Sequence, residues 1–212
     1  MRKKIFCCLS FLLMVLWVNG QSKYETGMDK AFEFWGDEQI SEAANVFERI
    51  AIAEENNWVP YYYASQIKIV ESFEMTDAVK KEQQLEQAQE LLDKAGQYAG
   101  EDNVEVMVLQ GLLHTAYITM EPSVYGMKLS PVISNIYEDA AKIAPRNPRV
   151  ILSKAEWNMG AAKFFGRDPK EYCKDLKKSL ELFSDFEPEE KYAPEWGESR
   201  ARQLIVETCG KI

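Results

Sequence analysis

The chain holds one histidine, His114, in 212 residues. It has no His-Glu-x-x-His and no Cys-x-x-Cys spacing, so neither a zinc centre nor an imidazole-driven hydrolytic site has a visible carrier. His114 sits among apolar neighbours in "LQGLLHTAYITM", the setting of a core or groove histidine whose hydrogen bonds are met locally. Also missing are a glycine-rich phosphate loop and a Gly-x-Ser-x-Gly elbow, common signatures of nucleotide and acyl chemistry. The expectation is a protein that is not an enzyme, with no cofactor and no metal. Positive charge is scarce: 25 Lys and Arg stand against 34 Asp and Glu, a formal charge of −9. A chain this acidic repels phosphate backbones and anionic bilayers, which disfavours nucleic acid and peripheral membrane partners.

Long apolar runs are also missing, except one at the start. Arg2, Lys3 and Lys4 precede a run from Ile5 to Val18 broken only by Ser10, and Val18-Asn19-Gly20 offers a cleavage site before Gln21. This is the layout of a secretory signal peptide over 1–20, with an uncleaved anchor as the alternative. The run is shorter than the roughly 20 residues that span a bilayer. Cys7 and Cys8 lie near its start, where a lipid-bearing cysteine is not expected. Cleavage removes three basic residues and moves the formal charge to −12. Residues 21–212 then form one soluble domain, periplasmic or secreted, long enough for a single core and without membrane insertion.

Strand-like alternation is nearly absent, and a helical period runs through the remainder. Ile40, Ala43, Ala44, Phe47, Ile50 and Ala51 form one stripe, as do Leu85, Ala88, Leu92, Ala95 and Ala99. Asparagine, glycine and proline punctuate the stripes at 36–37, 56–60, 100–103, 122, 131, 145–148, 168–169 and 188. The spacing predicts about nine helices: 23–35, 38–55, 60–74, 78–98, 103–120, 131–143, 148–165, 170–185 and 196–209. The fold class is all-α.

Three segments repeat one pattern: "SEAANVFERIAIAEENNWVPYYYAS", "LEQAQELLDKAGQYAGEDNVEVMVLQG" and "VISNIYEDAAKIAPRNPRVILSKAEW". Ala43, Phe47 and Ile50 match Ala88, Leu92 and Ala95, then Ile133, Tyr137 and Ala140; small residues Ser65, Gly111 and Ala155 recur in the following helices. The pattern resembles the tetratricopeptide repeat, with Pro145 at the family's turn proline. The repeats are degenerate: the family's Trp, Leu and Tyr positions are partly kept, and 121–130 and 166–169 are insertions. The resemblance implies an α-solenoid of about four antiparallel helix pairs with a C-terminal capping helix.

The resemblance also implies a concave groove, toward which Phe32 and Trp35, Tyr62 and Gln66, Leu112 and Thr115, and Arg149 and Glu156 point. A groove of this kind suits a peptide or protein segment, and the protein reads as a non-enzymatic binding or scaffolding module of the bacterial cell envelope. A small ligand or glycan in the same groove is the alternative. The segment "EPSVYGMKLSP" reads as a long loop carrying Tyr125, Met127 and Lys128 as further contacts. The acidic "SDFEPEEKYAPEWGE" reads as a solvated connector without calcium-loop spacing. "FFGRDP" reads as a helix end, with Gly166 left-handed, Asp168 as the next cap, and Phe164 or Phe165 tucked beneath.

Cys173 shares an apolar stripe with Leu176, Leu180 and Phe183, and Cys209 shares one with Ala201 and Ile205. Thirteen steps separate Cys173 from Phe186, and thirteen separate Trp196 from Cys209. At 1.5 Å per residue both arms of an antiparallel pair are about 20 Å long, which brings the sulfurs level. In an oxidising compartment the pair is expected to form a disulfide; two buried free thiols remain the other reading.

Overall fold

The computed structural model describes residues 23–210, so the export segment expected at 1–20 lies outside the described residues. Every element among the described residues is helical. Helix α1 covers 23–36. It is followed by α2 (Ile40–Ala53), α3 (Trp58–Ser72), α4 (Ala78–Ala99), α5 (Val104–Met120), α6 (Pro122–Ile143) and α7 (Pro148–Phe164). A 3-10 turn (Pro169–Tyr172), α8 (Cys173–Phe183), α9 (Glu198–Leu204) and a π turn (Ile205–Cys209) complete the chain. No helix among the described residues is long and apolar enough to cross a membrane.

Five of the helical starts are set by short polar side chains. Asn57, Asp77, Asn103, Asn147 and Asp168 each accept hydrogen bonds from backbone amides of the first turn that follows. Such a cap is worth about 1 kcal/mol relative to alanine. Each helix from α2 onward packs on its successor, and α3 also meets α5 as α5 meets α7. The core accordingly runs along the chain as three clusters. One cluster spans α1 to α5, a second joins α5, α6 and α7, and a third joins α7, α8 and α9.

Small residues allow the closest approaches. A Cβ on Gly111 would lie 2.5 Å from the Tyr137 ring, so α5 and α6 meet there only because that side chain is absent. Ser65 Oγ donates to the Ala88 carbonyl at 2.8 Å, and Ser179 Oγ to the Pro148 carbonyl at 3.1 Å. Cys173 and Cys209 are joined by a disulfide with Cα atoms 5.8 Å apart, tying the start of α8 to the π turn.

Two expectations need correction. The segment 121–130, which carries Tyr125, Met127 and Lys128, is the first half of α6 and not a loop. Pro122 stands at the first helical position, where no amide is needed, and Pro131 lies inside the helix at an exposed position. Second, neither phenylalanine folds under the turn after α7: Phe164 is 82% and Phe165 71% exposed. The Arg167 amide donates to the Ala162 carbonyl and the Gly166 amide to the Lys163 carbonyl, with Gly166 at φ +69°. In this Schellman turn the residue after the glycine commonly packs back on the helix. That position is held by Arg167, which is exposed, and Phe164 and Phe165 precede it, outside that contact.

Candidate functional site

Helix α1 places Phe32 and Trp35 one turn apart, and α3 does the same with Tyr63 and Gln66. These four line one wall of a cleft of about 610 Å³. The opposite wall is the stretch 184–197 between α8 and α9, through Lys191, Tyr192, Ala193, Glu195 and Trp196. The sequence of that stretch predicts a solvated connector. It instead returns across the molecule to α1, because its aromatic side chains find partners on the helices.

The Tyr192 ring stacks on Phe32 at 6.0 Å and 17° and meets Tyr24 edge-on at 5.7 Å. Its hydroxyl donates to Asp29 Oδ1 at 2.7 Å. Trp196 Nε1 donates to the Tyr62 hydroxyl at 2.8 Å, and Trp58 Nε1 donates to Glu190 Oε1 at 2.8 Å. The Phe186 ring lies 4.3 Å from the Arg149 guanidinium, and Lys191 pairs with Glu25 at 3.1 Å. Tyr192 has a φ of +67°. A non-glycine residue in that region costs on the order of 1–3 kcal/mol and persists where surrounding contacts hold it, as the ring stack and the Asp29 bond do here.

Within the cleft wall Phe32 meets Tyr63 edge-on at 4.8 Å and Trp35 meets it at 5.8 Å. Each such pair adds about 0.5–1.5 kcal/mol beyond its burial, so the wall is stiff before any ligand arrives. Gln66 is 5% exposed and its Oε1 has no hydrogen-bond partner. Burial pushes the Tyr62 and Tyr63 hydroxyls well up and that of Tyr24 up to about 12. All three stay protonated at physiological pH and act as neutral groups.

Beneath the cleft Arg149, 1% exposed, is gripped by Glu105 through Nε–Oε2 at 2.6 Å and Nη2–Oε1 at 2.7 Å. Asn147 Nδ2 donates to the same carboxylate at 2.7 Å, while Arg149 Nη1 has no partner.

The expected groove residues therefore divide. Phe32, Trp35 and Gln66 line the cleft. Tyr62 is fully buried beneath it, its hydroxyl occupied by Trp196. Arg149 does not face a ligand, because α5 supplies the carboxylate that neutralises it. Glu156 is held by Arg200 of α9, and Thr115 is bonded to the Gly111 carbonyl. Leu112 packs against the first core cluster. Tyr125, Met127 and Lys128 do not border the cleft; Tyr125 packs near Tyr117, and Met127 is 95% exposed. His114 is half-buried, bonded to Gln110 at 3.3 Å, and burial holds its pKa below the usual histidine range. Tyr63, Tyr192 and Trp196 were missed. The signal for the last two was aromatic residues spaced through an otherwise acidic segment.

No protein-family model matches the sequence, and no curated protein matches it. Among solved structures, the HusA haemophore from Porphyromonas gingivalis shares the fold. It superposes with a TM-score of 0.74 at 24% identity, over 87% of this chain and 91% of that one.

Proposed function

We propose that the chain is a non-enzymatic binding protein that holds a flat, largely apolar ligand of the haem or porphyrin class in the cleft beneath residues 184–197. The observation that carries this reading is the cleft itself: Phe32, Trp35, Tyr63, Tyr192 and Trp196 around about 610 Å³. That volume lies inside the roughly 300–1,000 Å³ range of small-molecule sites. The shared fold with a haemophore supports the ligand class. A peptide or protein segment is less well served, because residues 184–197 occupy the face along which an extended chain would run. Export of residues 21–212 belongs to the same reading. So does a tetratricopeptide-like solenoid, supported by the α3–α5 and α5–α7 contacts and the buried Ser65 and Ala155.

The lining holds no histidine, methionine or cysteine, the usual side chains on haem iron besides tyrosine. Tyr63 and Tyr192 are both pushed toward their protonated forms, chiefly by burial, which disfavours a phenolate ligand. Recognition then rests on ring faces, since Lys191 at the rim is already paired with Glu25. Titration of residues 21–212 with ferric haem and with iron-free protoporphyrin, followed by tryptophan quenching, tests this. Both should bind saturably with affinities within about tenfold, and Trp35→Ala with Tyr192→Ala should weaken both at least tenfold. Absence of saturable binding, or binding indifferent to both substitutions, overturns the reading.

A further inference from the structure

Charge is unevenly placed along the chain. Residues 163–178 carry Lys163, Arg167, Lys170, Lys174, Lys177 and Lys178 against three carboxylates, Asp168, Glu171 and Asp175. The rest of 23–210 carries fifteen Lys and Arg against thirty-one Asp and Glu. All six cations are exposed, and none forms an ion pair among the described residues. At the tip of this region stand Phe164 and Phe165, 82% and 71% exposed, their rings in mutual edge-on contact at 5.1 Å. The scaffold behind them is firm. The Gly166 turn fixes the helix end, the 3-10 turn packs on α7 and α8, and the disulfide anchors the start of α8.

We infer that this turn is a membrane-surface contact: Phe164 and Phe165 enter the headgroup layer of an anionic bilayer while the surrounding lysines and Arg167 meet its phosphates. An exposed aromatic pair with exposed cations close in sequence has the composition of an interfacial anchor. The chain-wide negative charge does not forbid it. At physiological salt the field of distant carboxylates is screened over about 8 Å, so the local surface decides, and each cation near an anionic bilayer strengthens attachment about fivefold. Two rings and six cations give a reversible contact, not a permanent anchor.

Flotation of residues 21–212 with vesicles tests the inference. The protein should rise with phosphatidylglycerol-containing vesicles, stay behind with pure phosphatidylcholine, and detach as salt is raised. Phe164→Ser with Phe165→Ser should reduce binding at least tenfold with unchanged thermal melting, as should Lys163→Glu with Arg167→Glu and Lys170→Glu. Equal flotation on both lipids, indifference to either set, or no flotation at all overturns it. So does self-association in sedimentation that the two serine substitutions abolish, which would assign the rings to a second copy of the chain. The porphyrin titration should be unaffected by either set, so this inference stands or falls apart from the cleft.

Discussion

The Glu105–Arg149 pair shows how costly a single buried charge is. Neither group can lose the other cheaply, since an unpaired ion beneath the cleft keeps its desolvation penalty. Glu105→Ala should destabilise by about 3–5 kcal/mol in urea denaturation, whereas Glu105→Met with Arg149→Leu should cost far less. Comparable losses in the single and double variants would show that packing, not charge, dominates there. Gln66 presents the opposite case. Its Oε1 is buried without a partner, a cost of about 1–3 kcal/mol in the unliganded protein. Gln66→Leu should therefore raise the melting temperature of the free protein by roughly 2–12 °C. A lower melting temperature would mean that the amide is satisfied in solution.

Among the helices, α6 departs furthest from its sequence pattern. An interior proline costs a helix up to about 3 kcal/mol and removes one backbone bond, yet α6 runs unbroken through Pro131. Pro131→Ala should stabilise the protein by about 1–3 kcal/mol, read by chemical denaturation; no gain would show that the helix has already adapted to the ring. Pro122 and Pro131 make this stretch read as a loop, because local signals cannot reveal that packing of Ile133 and Tyr137 holds the helix in place. Elsewhere the local signals sufficed: Asn57, Asn103, Asn147 and Asp168 stand at the expected breaks and cap the expected helices. The cleft divides the same way. Phe32, Trp35 and Gln66 follow from the groove register that the repeat resemblance implies, whereas the wall from 184–197 does not. Its partners lie far away in the chain: Glu190 with Trp58, Tyr192 with Asp29 and Trp196 with Tyr62, at separations of 132, 163 and 134. Within "EPEEKYAPEWG" the two aromatic residues signal burial, but nothing there says which distant helices receive them.

At the scale of the molecule, two links fasten the C-terminal part. One is the noncovalent return of 184–197 to α1; the other is the disulfide across 36 positions. On the chain-entropy model a loop of that size contributes about 3–4 kcal/mol. A non-reducing digest should yield the Cys173 and Cys209 peptides linked, and reduction should lower the melting temperature by roughly 6–16 °C. Recovering both cysteines alkylated from unfolded, unreduced protein would show that no bridge forms. The return of 184–197 also has a consequence in time. One wall of the cleft is made early in synthesis and the other late, with Tyr62 and Trp196 separated by 134 positions. At roughly 5–20 residues per second the interval is about 7–27 s. During that interval Phe32, Trp35, Tyr63 and Gln66 have been made and their counterparts across the cleft have not. Capture of a ligand in the closed cleft therefore follows synthesis of Trp196, and a chain cut short before that residue lacks one wall of the site.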